Sequence, residues 1–332
     1  MTRVAVLGGA GFIGRRVVAA LRARTSVTGI VALTRSARAP MLGVELIRAD
    51  VCDASALTQA LQGAEVVVNA VTGNAANIVA ASRALAQVLA QKPATRLVQL
   101  SSMAVYEGLT GRIVEQPAPR SDQGNWYARA KRAADDLVSP LAGPGRTVAL
   151  LRPGCVIGPG SELWVTRVGH WLTTGRLGDL RQWGDGWSNL VDVDEVAQAT
   201  AMACLQPHLP SLGVYHLVKP DQPRWNDYLL RFGLALGGPP LATPTRAQLL
   251  LDSRVAAVPL RVWERVSQKL GRAPRWPALA PSFLRLLASD QWLDATEATG
   301  VLGVQWEPWS TSCERSADWY RSQHPRSNCE HD

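Results

Sequence analysis

Tyr127 and Lys131, in the run Tyr127-Ala128-Arg129-Ala130-Lys131, have the types and the spacing for proton transfer. On a helix, side chains at i and i+4 share one side. A phenol titrates near about 10 and needs help to exchange protons around neutrality. An ammonium beside it stabilises the phenolate and lowers that value. The spacing alone is common by chance, but composition adds weight. Of 35 Lys+Arg only four are lysine, namely Lys92, Lys131, Lys219 and Lys269. Arginine offers no tunable amine in exchange.

A second group of residues fits an anion. Val4-Ala5-Val6-Leu7-Gly8-Gly9-Ala10-Gly11-Phe12-Ile13-Gly14 reads as an apolar strand, a glycine-rich turn and a helix start. Gly8 permits a tight turn, Gly11 lets the backbone approach a pyrophosphate, and Gly14 lets helix and strand pack closely. Phe12 and Ile13 open the helix, whose free N–H groups and positive dipole end favour the phosphates of a dinucleotide. The bland reading is a glycine-rich turn and nothing more. Its place at the first strand-to-helix junction favours the cofactor.

Elements must hold these groups in place. Apolar runs at residues 3–7, 27–33, 44–48, 65–70, 96–100 and 147–151 read as strands. Helical patterns at 11–24, 54–61, 78–91 and 127–137 lie between them. Alternation at this spacing predicts an α/β fold with a doubly wound parallel sheet. Beyond about residue 150 the character changes: all twelve Trp fall at or after Trp126, with Pro-broken helices at 225–236 and 247–251. A smaller aromatic-rich lobe is expected there, most of its Trp being ordinary core.

Composition removes other classes. The chain has 332 residues, 47% hydrophobic and 19% charged, which suits a globular protein. No run approaches the ~20 apolar residues of a membrane span. Met1 runs directly into a strand, so no secretory leader is expected. The five cysteines (Cys52, Cys155, Cys204, Cys313, Cys329) are scattered, without metal spacing. They read as reduced thiols of a cytoplasmic protein without a metal. The net charge of +8 comes with no dense basic run, so nucleic acid is not an expected partner.

The glycine spacing is GxxGxxG. With the Tyr127/Lys131 pair it resembles the short-chain dehydrogenase/reductase superfamily. The length and the Gly-Gly-Ala-Gly-Phe-Ile-Gly wording are similar to its extended, epimerase/dehydratase-like branch. Leu100-Ser101-Ser102-Met103-Ala104-Val105-Tyr106 resembles the SSxxVY segment of that family. Residues 151–159, 189–197 and 299–320 extend the likeness over nearly the whole chain.

The resemblance implies a Rossmann-type doubly wound parallel sheet with a smaller, mostly helical C-terminal substrate lobe. It places the dinucleotide-binding domain at 1–160, with 188–205 returning to it. The substrate lobe is 161–323 and a flexible tail 324–332. It assigns Ser102 to the substrate oxygen and leaves Ser101 as a turn cap. Lys131 would also reach the nicotinamide ribose. Asp50 and Val51 would meet adenine, Ala70 and Val71 would pass under the cofactor, and Pro153 would sit in the segment after the sixth strand. NAD-preferring members end the second strand with an acid, whereas this chain has Thr34-Arg35-Ser36. Arg35 can pair with a 2′-phosphate, so NADP(H) is favoured over NAD(H). Relatives are often homodimers through the helix that carries Tyr127, and the same is expected here.

Three readings follow. The first is hydride transfer between nicotinamide and a ketone or secondary alcohol of an apolar or aromatic small molecule. The second is a nucleotide-sugar epimerase with tightly held NAD. The third is a non-catalytic NAD(P)-sensing regulator. Sugar-nucleotide enzymes often carry Asn and Arg where this chain has Cys155 and Ser188. Dehydratases tend to have Asp-Glu where Met103-Ala104 stand. Trp164, Trp171, Trp183 and Trp187 fall where substrate would lie, although Arg167, Arg176 and Arg181 are available for phosphate. The first reading is favoured. The Tyr127/Lys131 pair counts against a sensor.

Overall fold

The structure is a computed structural model that describes residues 2–35, 41–118, 123–237, 242–256, 259–260, 262–263 and 278–325. The chain forms two compact units: residues 1–154, 193–220 and 293–306 make the first, and 155–192, 221–292 and 307–332 the second.

The first unit is built on seven parallel strands. They are β1 (Thr2–Leu7), β2 (Val27–Thr34), β3 (Glu45–Arg48), β4 (Val66–Asn69), β5 (Arg96–Leu100), β6 (Val148–Pro153) and β7 (Leu212–Leu217). Their order across the sheet is β7-β6-β5-β4-β1-β2-β3. The helices are α1 (Phe12–Arg22), α2 (Ala54–Ala60), α3 (Ala75–Ala90), α4 (Trp126–Val138), α5 (Val193–Leu205) and α6 (Thr296–Leu302). This is the Rossmann-type doubly wound arrangement. The chain leaves the β3 edge through α2 and re-enters the sheet at β4, beside β1. A crevice therefore opens between the C-terminal ends of β1 and β4, where ligands bind in such sheets.

The residue types explain the layers. Parallel strands are covered on both faces and need uninterrupted apolar runs. β4 is Val-Val-Val-Asn with all four residues buried. Leu7, Leu33, Val67, Leu97 and Leu150 share one buried cluster. Each such side chain contributes roughly 1.5–3 kcal/mol relative to exposure. α1 buries Val17, Val18 and Leu21 on one stripe, while α1 packs beside α5 and α3 beside α4.

The six expected strands and four expected helices of the first half all form, with ends displaced by a few residues. β7 was not expected. Its sequence, Leu-Gly-Val-Tyr-His-Leu, is broken by Gly213 and His216 and lacks the apolar signature.

The second unit is mostly helical, with helices Val168–Thr173, Trp225–Ala235, Arg246–Leu251, Pro281–Leu287 and Trp309–Gln323. It also holds the short parallel pair Cys155–Ile157 and Leu190–Asp192. Trp164 stacks on Trp225 at 5.3 Å and on Phe283 at 5.7 Å. Trp171 meets Phe283 at 5.0 Å and is 1% exposed. Trp171 is thus core, which corrects its reading as a residue facing substrate. Of the expected tail, residues 326–332 lie outside the described residues, as do Ser36 and Cys329. No helix among the described residues is long and apolar enough to cross a membrane.

Candidate cofactor and proton-transfer site

The glycine turn closes on itself through Gly11 N–H donating to Gly8 O at 2.9 Å. Gly8 has φ +73°, and a Cβ there would lie 2.9 Å from Ala70 O. A Cβ on Gly14 would lie 2.1 Å from Gly8 O. The turn therefore tolerates no side chain at either position. Gly11 caps α1 without a side-chain hydrogen bond, and no acidic residue stands in the first turn. The opening amides at Phe12 and Ile13 are left for an anion. The residues present fit a dinucleotide pyrophosphate, because the cradle is filled by backbone where a Cβ would block it.

In front of the cradle lies a cavity of about 220 Å³, lined in part by Gly8, Gly11, Arg35, Val51, Ala70 and Val71. Six of the expected cofactor residues thus share one space. Leu33, Thr34, Cys52, Thr72 and Asn77 line it too and were not foreseen. Nothing in their types marks them. Asp50 is exposed, and its carboxylate accepts the Cys52 N–H at 3.0 Å in a local turn. Asn69 shapes the loop beneath: its side-chain oxygen accepts the Val71 N–H at 3.2 Å, and its amide donates to Gln99 at 2.9 Å. Pro153 is buried at the end of β6.

Asn125 caps α4 and accepts the N–H groups of Tyr127 and Ala128 at 2.8 and 3.1 Å. The first turn of α4 is thereby fixed, and Tyr127 with it. The Ser102 side chain stands against the Tyr127 hydroxyl, where it favours the phenolate. Ser102 also caps the turn after β5, accepting Ala104 N–H at 3.2 Å. Lys131 is buried, and its Nζ donates to Leu100 O at 2.8 Å and Val71 O at 3.4 Å, 5.9 Å from the Tyr127 ring centre. Burial lowers the Lys131 pKa to about 8, against the raising effect of Asp135.

Two expectations are corrected here. Burial raises the Tyr127 phenol, while the Ser102 side chain partly opposes the rise. Lys131 does not bring it down. The reason is tertiary: desolvation disfavours a phenolate. Ser101 is not merely a turn cap, since its Oγ donates to Asp135 Oδ2 at 2.7 Å.

Behind this set runs a buried polar chain that was not foreseen. Arg152 Nη2 reaches Asp135 Oδ2 at 3.3 Å, and Arg152 also hydrogen-bonds Tyr106. Tyr106 Oη lies 2.8 Å from His216 Nε2, and His216 Nδ1 lies 2.7 Å from Asp294 O. Burial lowers the His216 pKa to about 4. A neutral ring donating from Nδ1 leaves Nε2 to accept from Tyr106. Glu115 accepts the N–H groups of His216 at 2.7 Å and Ala298 at 3.0 Å, and that of Glu297.

In the second unit Cys155 is 1% and Ser188 0% exposed, and Ser188 Oγ donates to Pro223 O at 2.7 Å. Arg176 forms a two-pronged pair with Asp252 at 2.9 and 2.6 Å. Arg224 lies 3.6 Å from the ring centre of Trp187.

Residues 4–215 match the family described as "NAD dependent epimerase/dehydratase family". Over 74% of this chain and 68% of its own length, a 2-alkyl-3-oxoalkanoate reductase of Shewanella oneidensis is 27% identical. The UDP-glucuronic acid 4-epimerase of Bacillus cereus, solved with UDP-glucuronic acid and NAD, superposes with TM-score 0.70 at 15% identity, covering 97% of this chain and 100% of its own. MoeE5, solved with UDP-glucose and NAD, gives 0.68 at 20%, covering 97% and 99%. At these identities the two structures are similar in fold.

Proposed function

Because the chain belongs to the NAD dependent epimerase/dehydratase family and is an NAD-dependent oxidoreductase, we propose that it reduces the ketone of an apolar small molecule, with NADP(H) favoured over NAD(H). Branched 3-oxo acids of the kind named for the Shewanella oneidensis relative are the first substrate class to try. The observation that carries this reading is a buried Lys131 held by Leu100 O at 2.8 Å, four residues after Tyr127 on one helix, with the Ser102 side chain against the Tyr127 hydroxyl.

A bound reduced nicotinamide supplies the hydride. Tyr127 donates the proton to the carbonyl oxygen, and Ser102 hydrogen-bonds the same oxygen as negative charge develops. The raised phenol stays protonated through neutrality, which suits reduction. Lys131 supplies positive charge one helical turn away and spans the ends of β4 and β5. The amides at Phe12, Ile13 and Gly14 take the pyrophosphate, while Gly8 and Gly11 shape the turn that lets it approach. Arg35 takes the 2′-phosphate. Asp50, Val51, Ala70, Val71 and Pro153 border the rest of the cofactor.

The substrate class has separate support. Cys155 and Ser188 stand where the resemblance puts the Asn and Arg that sugar-nucleotide enzymes often carry; both are buried, and Arg176 is committed to Asp252. The test incubates purified protein with NADPH or NADH and a panel of 2-alkyl-3-oxo esters, aryl ketones and UDP-hexoses. Net NADPH consumption with the ketones is expected. Interconversion of UDP-hexoses without net cofactor consumption contradicts the reading.

A further inference from the structure

Three consecutive residues at the end of β5 each meet a different position on one face of α4. Leu100 O receives Lys131 Nζ at 2.8 Å. Ser101 Oγ donates to Asp135 Oδ2 at 2.7 Å. The Ser102 side chain stands against the Tyr127 hydroxyl. Residues 127, 131 and 135 are spaced by four, so they share that face. The middle contact is buried like the first, with Ser101 4% and Asp135 5% exposed.

The Asp135 carboxylate is only half used. Oδ2 holds Ser101 and Arg152, whereas Oδ1 is buried with no hydrogen-bond partner among the described residues. A buried carboxylate kept for packing alone is expected to have both oxygens satisfied. Its charge favours the ammonium of Lys131, which burial otherwise disfavours.

We propose that Ser101 and Asp135 are positioning residues of the Ser102–Tyr127–Lys131 set: their hydrogen bond registers the end of β5 against α4 and keeps a negative charge one turn from Lys131. The inference rests on the ketone-reduction reading above. Moving the end of β5 along α4 would displace Leu100 O and Ser102 together. A displacement near 1 Å can cost on the order of 100-fold in rate.

The test compares Ser101→Ala, Ser101→Thr, Asp135→Asn and Tyr127→Phe with wild type. It uses NADPH affinity by fluorescence, kcat on the best ketone of the panel, and the pH dependence of kcat. Ser101→Ala is expected to lower kcat at least ~10-fold with NADPH affinity within ~2-fold. Ser101→Thr keeps the hydroxyl and should recover most of the loss. Asp135→Asn keeps an acceptor for Ser101 but removes the charge, so the Lys131 limb should move to lower pH. That near-isosteric variant carries the test alone if Ser101→Ala does not fold. Wild-type kcat and pH profile in both, with Tyr127→Phe inactive, overturns the positioning role and leaves the reading beneath it standing. Equal loss of affinity and kcat that threonine does not repair also overturns it, as a packing contact. Normal turnover by Tyr127→Phe overturns the underlying reading, and the inference falls with it.

Discussion

The Lys131 ammonium donates to the main-chain oxygen of Leu100 at 2.8 Å, joining the middle of α4 to the end of β5. Burial holds its pKa at about 8, so the charge that the site uses is lost as pH rises through that value. kcat/KM is therefore expected to fall above about pH 8. Lys131→Met should remove that limb and lower kcat/KM by roughly two to four orders of magnitude. Lys131→Arg should not rescue, because a planar fork does not match two carbonyls that receive a single Nζ. A pH–rate profile of each variant checks this.

Gly8 and Gly14 make separable predictions. An alanine at Gly14 puts Cβ 2.1 Å from Gly8 O, so backbone must move. At Gly8 the strain comes from φ +73° together with Ala70 O at 2.9 Å. Gly8→Ala is expected to cost ~1–3 kcal/mol of stability. Both variants should weaken reduced-cofactor binding at least ~10-fold, the equivalent of 1.4 kcal/mol. Chemical denaturation and fluorescence titration measure the two effects separately.

Arg35 lines the cavity in front of the glycine turn. Arg35→Asp replaces a phosphate partner with a repelling carboxylate. The ratio of NADPH to NADH affinity should fall at least ~10-fold. An unchanged ratio removes the argument for a 2′-phosphate.

Glu115 predicts a pH dependence of stability. Burial raises its pKa from 4.5 to about 7. Between those values the folded state holds a proton that the unfolded chain has released. Its contribution is present below about 4.5 and is lost as pH rises through about 7. His216 works oppositely, since its value falls from 6.5 to about 4 and its burial costs least at high pH. The wild-type curve mixes both. The difference between wild type and Glu115→Gln isolates Glu115, and should decline by on the order of 2 kcal/mol from pH 4.5 to pH 7 after discounting solvent screening. Melting curves at several pH values read it directly.

How much was legible in the sequence follows from sequence distance. The glycine junction is local, and each of its glycines meets backbone as its spacing implied. The i, i+4 placement of Tyr127 and Lys131 is local as well. The first six strands announce themselves by apolar runs that parallel burial requires. The direction of the Tyr127 shift is not local, because desolvation depends on what packs around the ring. Ser101 and Asp135 lie 34 residues apart, and neither type advertises the other. β7 was missed because His216, fully buried, satisfies its ring through Tyr106 and Asp294 on distant segments. Asp50 spends a carboxylate oxygen on the N–H two residues on, a local turn of the kind Asp favours.

The most direct measurement is a single-turnover reaction of Tyr127→Phe preloaded with NADPH, run beside wild type on the same ketone. Removing one hydroxyl should leave cofactor fluorescence and affinity intact, while the decay of reduced nicotinamide slows by at least ~100-fold. A variant that oxidises NADPH at the wild-type rate would contradict the assignment of the proton to Tyr127, and with it the chemistry given to Ser102 and Lys131.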